Sequence, residues 1–321
     1  MKVVVASRLS EDEAEGLRAA APGAEVCLAD GWDAVLAEVA EAEAYVPGPW
    51  NEDVLAAAPG LRWVHFLWAG LDGQLFPASL ESEITITNSA GVFVIPMAEH
   101  VLALMLAFAR AVHLCARRTP EQLWHAEGAR ASITDRMAEL EGATLGILGY
   151  GGIGRAVAER ARAFGMEILA LRRRPAGGDA RADQVWGPDR LPDLLARSDY
   201  LVISCALTPE TRGLIGEREL AAMKPNAVVI NVARGAVIDE GALVAALASG
   251  RIAGAGLDVT AEEPLPQDSP LWQMDNVIIT PHVSGNSPRT WQRQMDVLRE
   301  NLRRYAAGEP LLNVVDKAAG Y

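Results

Sequence analysis

Short apolar runs alternate with amphipathic stretches along the first part of the chain. KVVVAS, AEVCLA, EAYVPG, LRWVHFLW and ITITNS read as strands, and patterns such as SEDEAEGLRAAA between them read as helices. Strands that alternate with helices predict a parallel sheet covered by those helices. A long helical tract follows, IPMAEHVLALMLAFARAVHLCARR, apolar around more of its circumference than a surface helix requires. A second series, ATLGILG, MEILALR, YLVISCA, AVVINVA, AGAGLDV and NVIITPH, again has helices between its runs and predicts a fuller parallel sheet. A last helical pattern, SPRTWQRQMDVLRENLRRYAAG, belongs to neither series. Its expected return to the first domain makes the chain cross between domains twice.

Composition narrows the classes of function. With 321 residues, half of them hydrophobic, the chain can form two modest domains, each with its own core. A net charge of -13 argues against a nucleic-acid partner, which would be gripped by clustered Lys and Arg. Cys27, Cys115 and Cys205 are odd in number and show no CxxC spacing, so they read as reduced core residues of a cytoplasmic protein. The N-terminus lacks a signal-peptide pattern, and the most apolar segment, residues 101–109, is too short for a membrane span. No set of histidines and carboxylates has metal-ligand spacing, and His65, His100, His113 and His125 read as structural residues.

The run LGILGYGGIGRAVAERARAFG carries more specific chemistry. Gly149, Gly151 and Gly154 fit G-x-G-x-x-G directly after a strand pattern and at the start of a helix pattern. In that context the glycines permit a tight turn, close backbone approach to a pyrophosphate and close helix packing, and the helix N-terminus attracts the anion. Gly152 and Ile153 belong to the same turn. About twenty residues on, where a carboxylate usually meets the adenosine ribose, stand Arg172, Arg173 and Arg174. Arginine cannot accept a hydrogen bond from a ribose hydroxyl, but it pairs with a 2'-phosphate, so NADP(H) is expected over NAD(H). The alternative is a solvated basic loop.

Arg234 in INVARGAVIDEG, Asp258 and Glu263 in GAGLDVTAEEPLP, and His282 in NVIITPHVSG each follow a strand-like run. In a doubly wound sheet, ligands bind outside the carboxyl ends of the strands, where these side chains would converge. Each also has an ordinary reading taken alone: a hydrogen-bonded histidine, surface carboxylates, an arginine at a helix terminus, and for Asp258 an N-cap or turn. In combination and order, however, the segments resemble the D-isomer-specific 2-hydroxyacid dehydrogenase family, from ITITNSAGVFVIPMAEHVLALML to LLNVVDKAAGY.

The resemblance implies two Rossmann-like doubly wound parallel-sheet domains of α/β class, with the nucleotide-binding domain, residues 98–287, inserted in a flavodoxin-like substrate domain, residues 1–97 and 288–321. It implies that Arg234 holds a substrate carboxylate, Glu263 supports the histidine and His282 is the acid/base. A histidine titrating near ~6.5 can supply the proton that reduction of a 2-keto acid needs, and a bonded Glu263 would favour the imidazolium. Leu207, Thr208 and Asp258 are expected beside the cofactor, and Ser284 beside the substrate. HFLWAGLDG matches the family's substrate loop, with backbone N–H groups near Ala69 and Gly70 facing the carboxylate. Trp68 stands where family members generally carry a small residue, as an aromatic wall or as core packing under the loop. The expected activity is reduction of a small 2-keto acid such as glyoxylate or hydroxypyruvate to the D-2-hydroxy acid. A phosphite or formate dehydrogenase of the same fold, or a non-catalytic nucleotide sensor, are the alternatives. The resemblance also implies a homodimer through residues 91–118, against burial of that helix within one subunit.

Overall fold

In the computed structural model the chain is described at residues 1–174, 179–318 and 320. Pro175 to Gly178 of the basic loop, and Ala319 and Tyr321 of the terminal motif, lie outside the described residues. Two compact units emerge: Met1–Phe93 with Ser287–Tyr321, and Val94–Asn286.

The first unit is built on β1 (Lys2–Val5), β2 (Glu25–Leu28), β3 (Ala44–Val46), β4 (Trp63–Phe66) and β5 (Thr85–Asn88). They pair in the order β2-β1-β3-β4-β5, all parallel, the order of flavodoxin-like sheets. The first helix, Glu11–Ala20, starts at Ser10, whose hydroxyl accepts from the Glu13 N–H while the Glu13 carboxylate accepts from the Ser10 N–H. The last helix, Thr290–Ala307, lies against it and buries Met295, Leu298 and Leu302 beside Val3, Val5 and Leu17. The final helical pattern of the sequence thus belongs to the first unit.

The second unit carries β6 (Thr144–Leu148), β7 (Glu167–Leu171), β8 (Gln184–Trp186), β9 (Tyr200–Ile203), β10 (Val228–Asn231), β11 (Gly254–Leu257) and β12 (Val277–Ile279). All pair in parallel, in the order β12-β11-β10-β9-β6-β7-β8. Strand order reverses at β6, which makes the crevice at the carboxyl ends of β6 and β9 the natural ligand site. The strand β8 carries no apolar alternation and is only partly covered, so its sequence gives no strand signal.

The long apolar tract is two helices, Val94–Ala109 and Val112–Arg117. The break falls at Ala111, whose φ of 53° is left-handed. His113 lies behind the break, with Nδ1 3.0 Å from the Ala107 carbonyl and its ring 4.6 Å from that of Phe108. The carbonyl that would continue the helix is therefore capped by a side chain, and the Ala111 N–H turns to Phe108 instead. Helix Val94–Ala109 is covered within its own unit, by the helix Gly152–Arg162 and by β10 and β11. A Cβ on Gly254 would lie 2.7 Å from the Phe108 ring, so a bare strand is what lets the helix approach. No helix among the described residues is long and apolar enough to cross a membrane.

In the first unit His65 is fully buried, with Nδ1 2.8 Å from the Thr87 hydroxyl, which also accepts from the Trp63 indole at 2.8 Å. Burial pushes the imidazole down to about 3, so the folded protein keeps it neutral where the unfolded chain, titrating near ~6.5, takes up a proton. Its contribution to stability is complete above the unfolded value and is lost as pH falls toward the folded one. Between pH 7 and pH 5 we expect the wild type to lose about 2 kcal/mol that a His65→Gln variant keeps. Urea unfolding at the two pH values checks this, and equal pH dependence in both proteins would refute it.

Candidate active site

The turn after β6 is shaped for close approach. Gly149 has φ of 105°, and a Cβ there would lie 2.4 Å from the Cys205 backbone nitrogen. A Cβ on Gly154 would lie 2.5 Å from the Gly149 carbonyl oxygen, while one on Gly151 meets no atom of the described residues within 4 Å. The Ser204 hydroxyl donates to the Gly149 carbonyl at 2.9 Å, which fixes the turn to the end of β9. Gly151 is the N-cap of helix Gly152–Arg162 and has no side chain to occupy its first N–H groups. Ile153 packs inward against the core under helix Val94–Ala109. This cradle fits a pyrophosphate.

Arg172, Arg173 and Arg174 follow β7 directly; Arg172 is half-buried and the other two are exposed. The Arg172 N–H donates to the Trp186 carbonyl at 3.1 Å, which anchors the backbone where the side chains depart. Leu207 and Thr208 lie beyond β9. The Thr208 hydroxyl, with Arg173 contributing its charge, holds the Glu210 carboxyl below its ordinary value, so the loops after β7 and β9 are close enough to interact.

The loop that ends β10 is fixed by Asn231, whose side-chain oxygen accepts from the Ala233 N–H at 3.0 Å and whose side-chain NH2 donates to the Arg234 carbonyl at 2.9 Å. The half-buried Arg234 guanidinium donates to the Ala233 carbonyl at 2.8 Å. Gly235 then passes so close to Thr260 that a Cβ would lie 1.9 Å from its carbonyl carbon. The Thr260 N–H in turn donates to Glu263 at 3.2 Å. Arg234 and Glu263 are thereby held on touching loops. The other Glu263 oxygen lies 2.8 Å from His282 Nδ1 and leaves Nε2 on the far side of a half-exposed ring.

His282 has φ of 52°, costly for a residue with a Cβ, and the surrounding bonds hold it there. Its N–H donates to the Asp258 carbonyl at 2.9 Å. The Asp258 carboxylate is fully buried and accepts from the Thr280 hydroxyl at 2.6 Å, the Val283 N–H at 2.9 Å and the Ser284 N–H at 3.0 Å. Burial works to raise its pKa, but the bonds from Ser284, Thr280 and Val283 outweigh it and hold the group below the usual range. The single proton of Thr280 goes to Asp258, so His100 Nε2, 3.0 Å from that hydroxyl oxygen, is the donor.

The Asp258 side chain fastens the His282 loop, and Ser284, buried with its N–H on Asp258, belongs to the same fastening. Thr280, Asn231 and the partner of His100 were not read from the sequence, since nothing local marks a threonine that bridges two distant residues.

Trp68, Ala69 and Gly70 belong to the first unit, in the loop after β4. Trp68 is half-buried, with its ring edge-on to Phe66 at 5.2 Å, and packs against that unit's core. Among the described residues no cluster of His, Cys, Asp and Glu could hold a metal ion.

A doubly wound sheet with a glycine cradle at its switch point, and an Arg with a Glu–His pair on the same edge, defines a nucleotide-dependent oxidoreductase. Residues 102–284 match the family described as D-isomer specific 2-hydroxyacid dehydrogenase, NAD binding domain. The chain is 40% identical over 274 residues to the glyoxylate/hydroxypyruvate reductase B of Pectobacterium carotovorum, covering 84% of this chain and 83% of that one. It is 36% identical to the D-3-phosphoglycerate dehydrogenase of Mycobacterium bovis, covering 90% of this chain but only 54% of that longer one. It superposes with a TM-score of 0.85 on a D-isomer specific 2-hydroxyacid dehydrogenase from Xanthobacter autotrophicus, solved with NADPH and MES, at 34% identity over 100% of this chain and 99% of the other. The chain belongs to the D-isomer-specific 2-hydroxyacid dehydrogenase family, oxidoreductases that act on CH–OH donors with a nicotinamide cofactor.

The contact between Gly235 and Thr260 gives a direct test of how these loops are held. Gly235→Ala is expected to cost about 1–3 kcal/mol, because backbone rather than a flexible side chain must move. Urea unfolding checks this, and an unchanged midpoint would contradict it.

Proposed function

We propose that the protein is an NADPH-dependent reductase of small 2-keto acids of the glyoxylate and hydroxypyruvate type, yielding the D-2-hydroxy acid. The observation that carries this reading is the Glu263–His282 pair at 2.8 Å, on a loop fastened by Asp258 and beside the loop that carries Arg234. The nicotinamide, when bound, supplies the hydride that goes to the keto carbon. Arg234 offers a planar fork and a permanent charge for the substrate carboxylate. Glu263 orients the ring through Nδ1, and His282 gives a proton from Nε2 to the oxygen that becomes the hydroxyl. Gly149, Gly151, Gly152, Ile153 and Gly154 take the pyrophosphate, with Leu207 and Thr208 across from them. Arg172 to Arg174 take the 2'-phosphate.

Similar proteins support the substrate class and the cofactor: one of the relatives above is a glyoxylate/hydroxypyruvate reductase, and the Xanthobacter structure was solved with NADPH. The retained pair of Glu263 and His282 also sets the chain apart from a sensor, which has no use for an acid/base group.

Absorbance of the reduced cofactor, followed with glyoxylate, hydroxypyruvate, pyruvate, bulkier 2-keto acids and phosphite, tests the reading. We expect turnover of the small 2-keto acids with NADPH favoured over NADH. Arg172→Asp should weaken that preference by roughly ten- to a hundredfold, the worth of a hydrogen bond to a charged group. Preference for NADH in the wild type, or reduction of NAD(P) by phosphite in place of keto-acid turnover, would overturn it.

A further inference from the structure

The reduction proposed above gives His100 no part, although its ring reaches the fastening of the His282 loop. His100 stands in the second turn of helix Val94–Ala109, flanked by the fully buried Ala98 and Val101, and its side chain keeps 20% exposure. The helix is a firm mounting. It lies on β11 at two glycines: a Cβ on Gly256 would lie 3.1 Å from the Leu104 side chain, as one on Gly254 would crowd Phe108. Asp258 departs from the same strand, so His100 and the buried carboxylate are carried by packed neighbours within one unit.

A threonine joins the two. His100 Nε2 is 3.9 Å from Asp258 Oδ1, too far for a hydrogen bond, but 3.0 Å from the Thr280 hydroxyl oxygen. That hydroxyl donates to Asp258 Oδ1 at 2.6 Å, a short bond to a charged acceptor. The same oxygen accepts from the N–H of Val283, next in the chain to His282, at 2.9 Å. The backbone of Thr280 is placed as well, with its N–H on the Leu257 carbonyl at 2.9 Å and its carbonyl 3.0 Å from the His282 N–H.

A hydroxyl has one proton and turns about its C–O bond, so Thr280 can serve Asp258 or another acceptor but not both. A donor on the far side removes the choice. With the His100 Nε2–H on a lone pair of the oxygen, the proton is left for the carboxylate, and donation to the hydroxyl strengthens the bond that the hydroxyl gives. The opposite tautomer would make Nε2 an acceptor, draw the Thr280 proton away, and leave a buried carboxylate with one donor fewer.

We propose that His100 is a positioning residue for the proton donor: by keeping the Thr280 proton on Asp258 it holds the His282 loop fastened, with the ring against Glu263. The inference rests on the proposed reading of the active site. His100 acts through two side chains and not on the reacting atoms. Its loss should lower kcat while sparing the affinity for NADPH.

The test on the full chain combines hydrogen exchange at the Val283 and Ser284 N–H groups, without cofactor, with kcat and KM for glyoxylate and NADPH binding by fluorescence. His100→Leu should speed exchange at Val283 and Ser284 about tenfold, with the amides of β6 unchanged, and lower kcat about tenfold, the size expected of one hydrogen bond. KM and NADPH binding should stay within about twofold, since neither group gripped is touched. His100→Gln, which can present an amide N–H where Nε2 stands, should restore exchange and kcat, whereas His100→Glu, an acceptor of the same shape, should not. In a Thr280→Val background, itself impaired, His100→Leu should bring no further loss, because the chain is already cut. Wild-type exchange and kcat in His100→Leu overturn the proposal. An equal loss with and without the Thr280 hydroxyl also overturns it, as the mark of packing alone. If His100→Leu does not fold, the Gln and Glu variants decide, and equal exchange and kcat in those two overturn it. Failure of the wild type to reduce any 2-keto acid would instead strike the reading of the site and the part in catalysis with it, and exchange at Val283 and Ser284, which needs no substrate, tells the two failures apart.

Discussion

A buried carboxylate organises the edge of the nucleotide unit. Asp258 emerges from β11 into the buried interior, where a charge is costly unless it is hydrogen-bonded, and it gathers a hydroxyl and two backbone N–H groups around itself. All three belong to the segment that carries His282, so satisfying one charge fixes that loop. The left-handed backbone of His282 is sustained by the same bonds. Removing the carboxylate would therefore release strain and leave N–H groups unpaired in one step.

The remaining parts of the site are attached to this edge by contact of one loop with the next. Gly235 brings the arginine loop against Thr260, and Thr260 hands its N–H to Glu263, the residue that meets His282. The glycine turn is tied to the end of β9 by the Ser204 hydroxyl and lies close against the backbone of Cys205. The groups of the site are thus carried by loops at strand ends, where sheet pairing limits their movement. Burial also renders Cys205 inert, pushing its thiol up to about 11.

Much of this was legible in the sequence because it is periodic or locally spaced. Apolar runs gave the strands of both sheets apart from β8, and G-x-G-x-x-G after ATLGILG gave the cradle. Family resemblance, not periodicity, brought Arg234, Glu263 and His282 together. What escaped depends on partners far apart in the chain: His100 meets Thr280 across 180 residues, and Asn313 meets Asn88 across 225. The helix break at Ala111 escaped for another reason, since the apolar pattern continues straight through it, and the contact that marks it is the His113 side chain folded back on the Ala107 carbonyl. Asp258 was visible as a carboxylate after a strand, but its service to the loop is a matter of which groups surround it.

In the proposed reduction the proton comes from His282, oriented by Glu263. The most direct measurement compares wild type with His282→Ala for reduction of glyoxylate by NADPH, with NADPH binding followed separately by fluorescence. A loss in kcat of roughly two to four orders of magnitude with cofactor binding preserved is expected. A variant that binds NADPH and turns over glyoxylate at nearly the wild-type rate would contradict it.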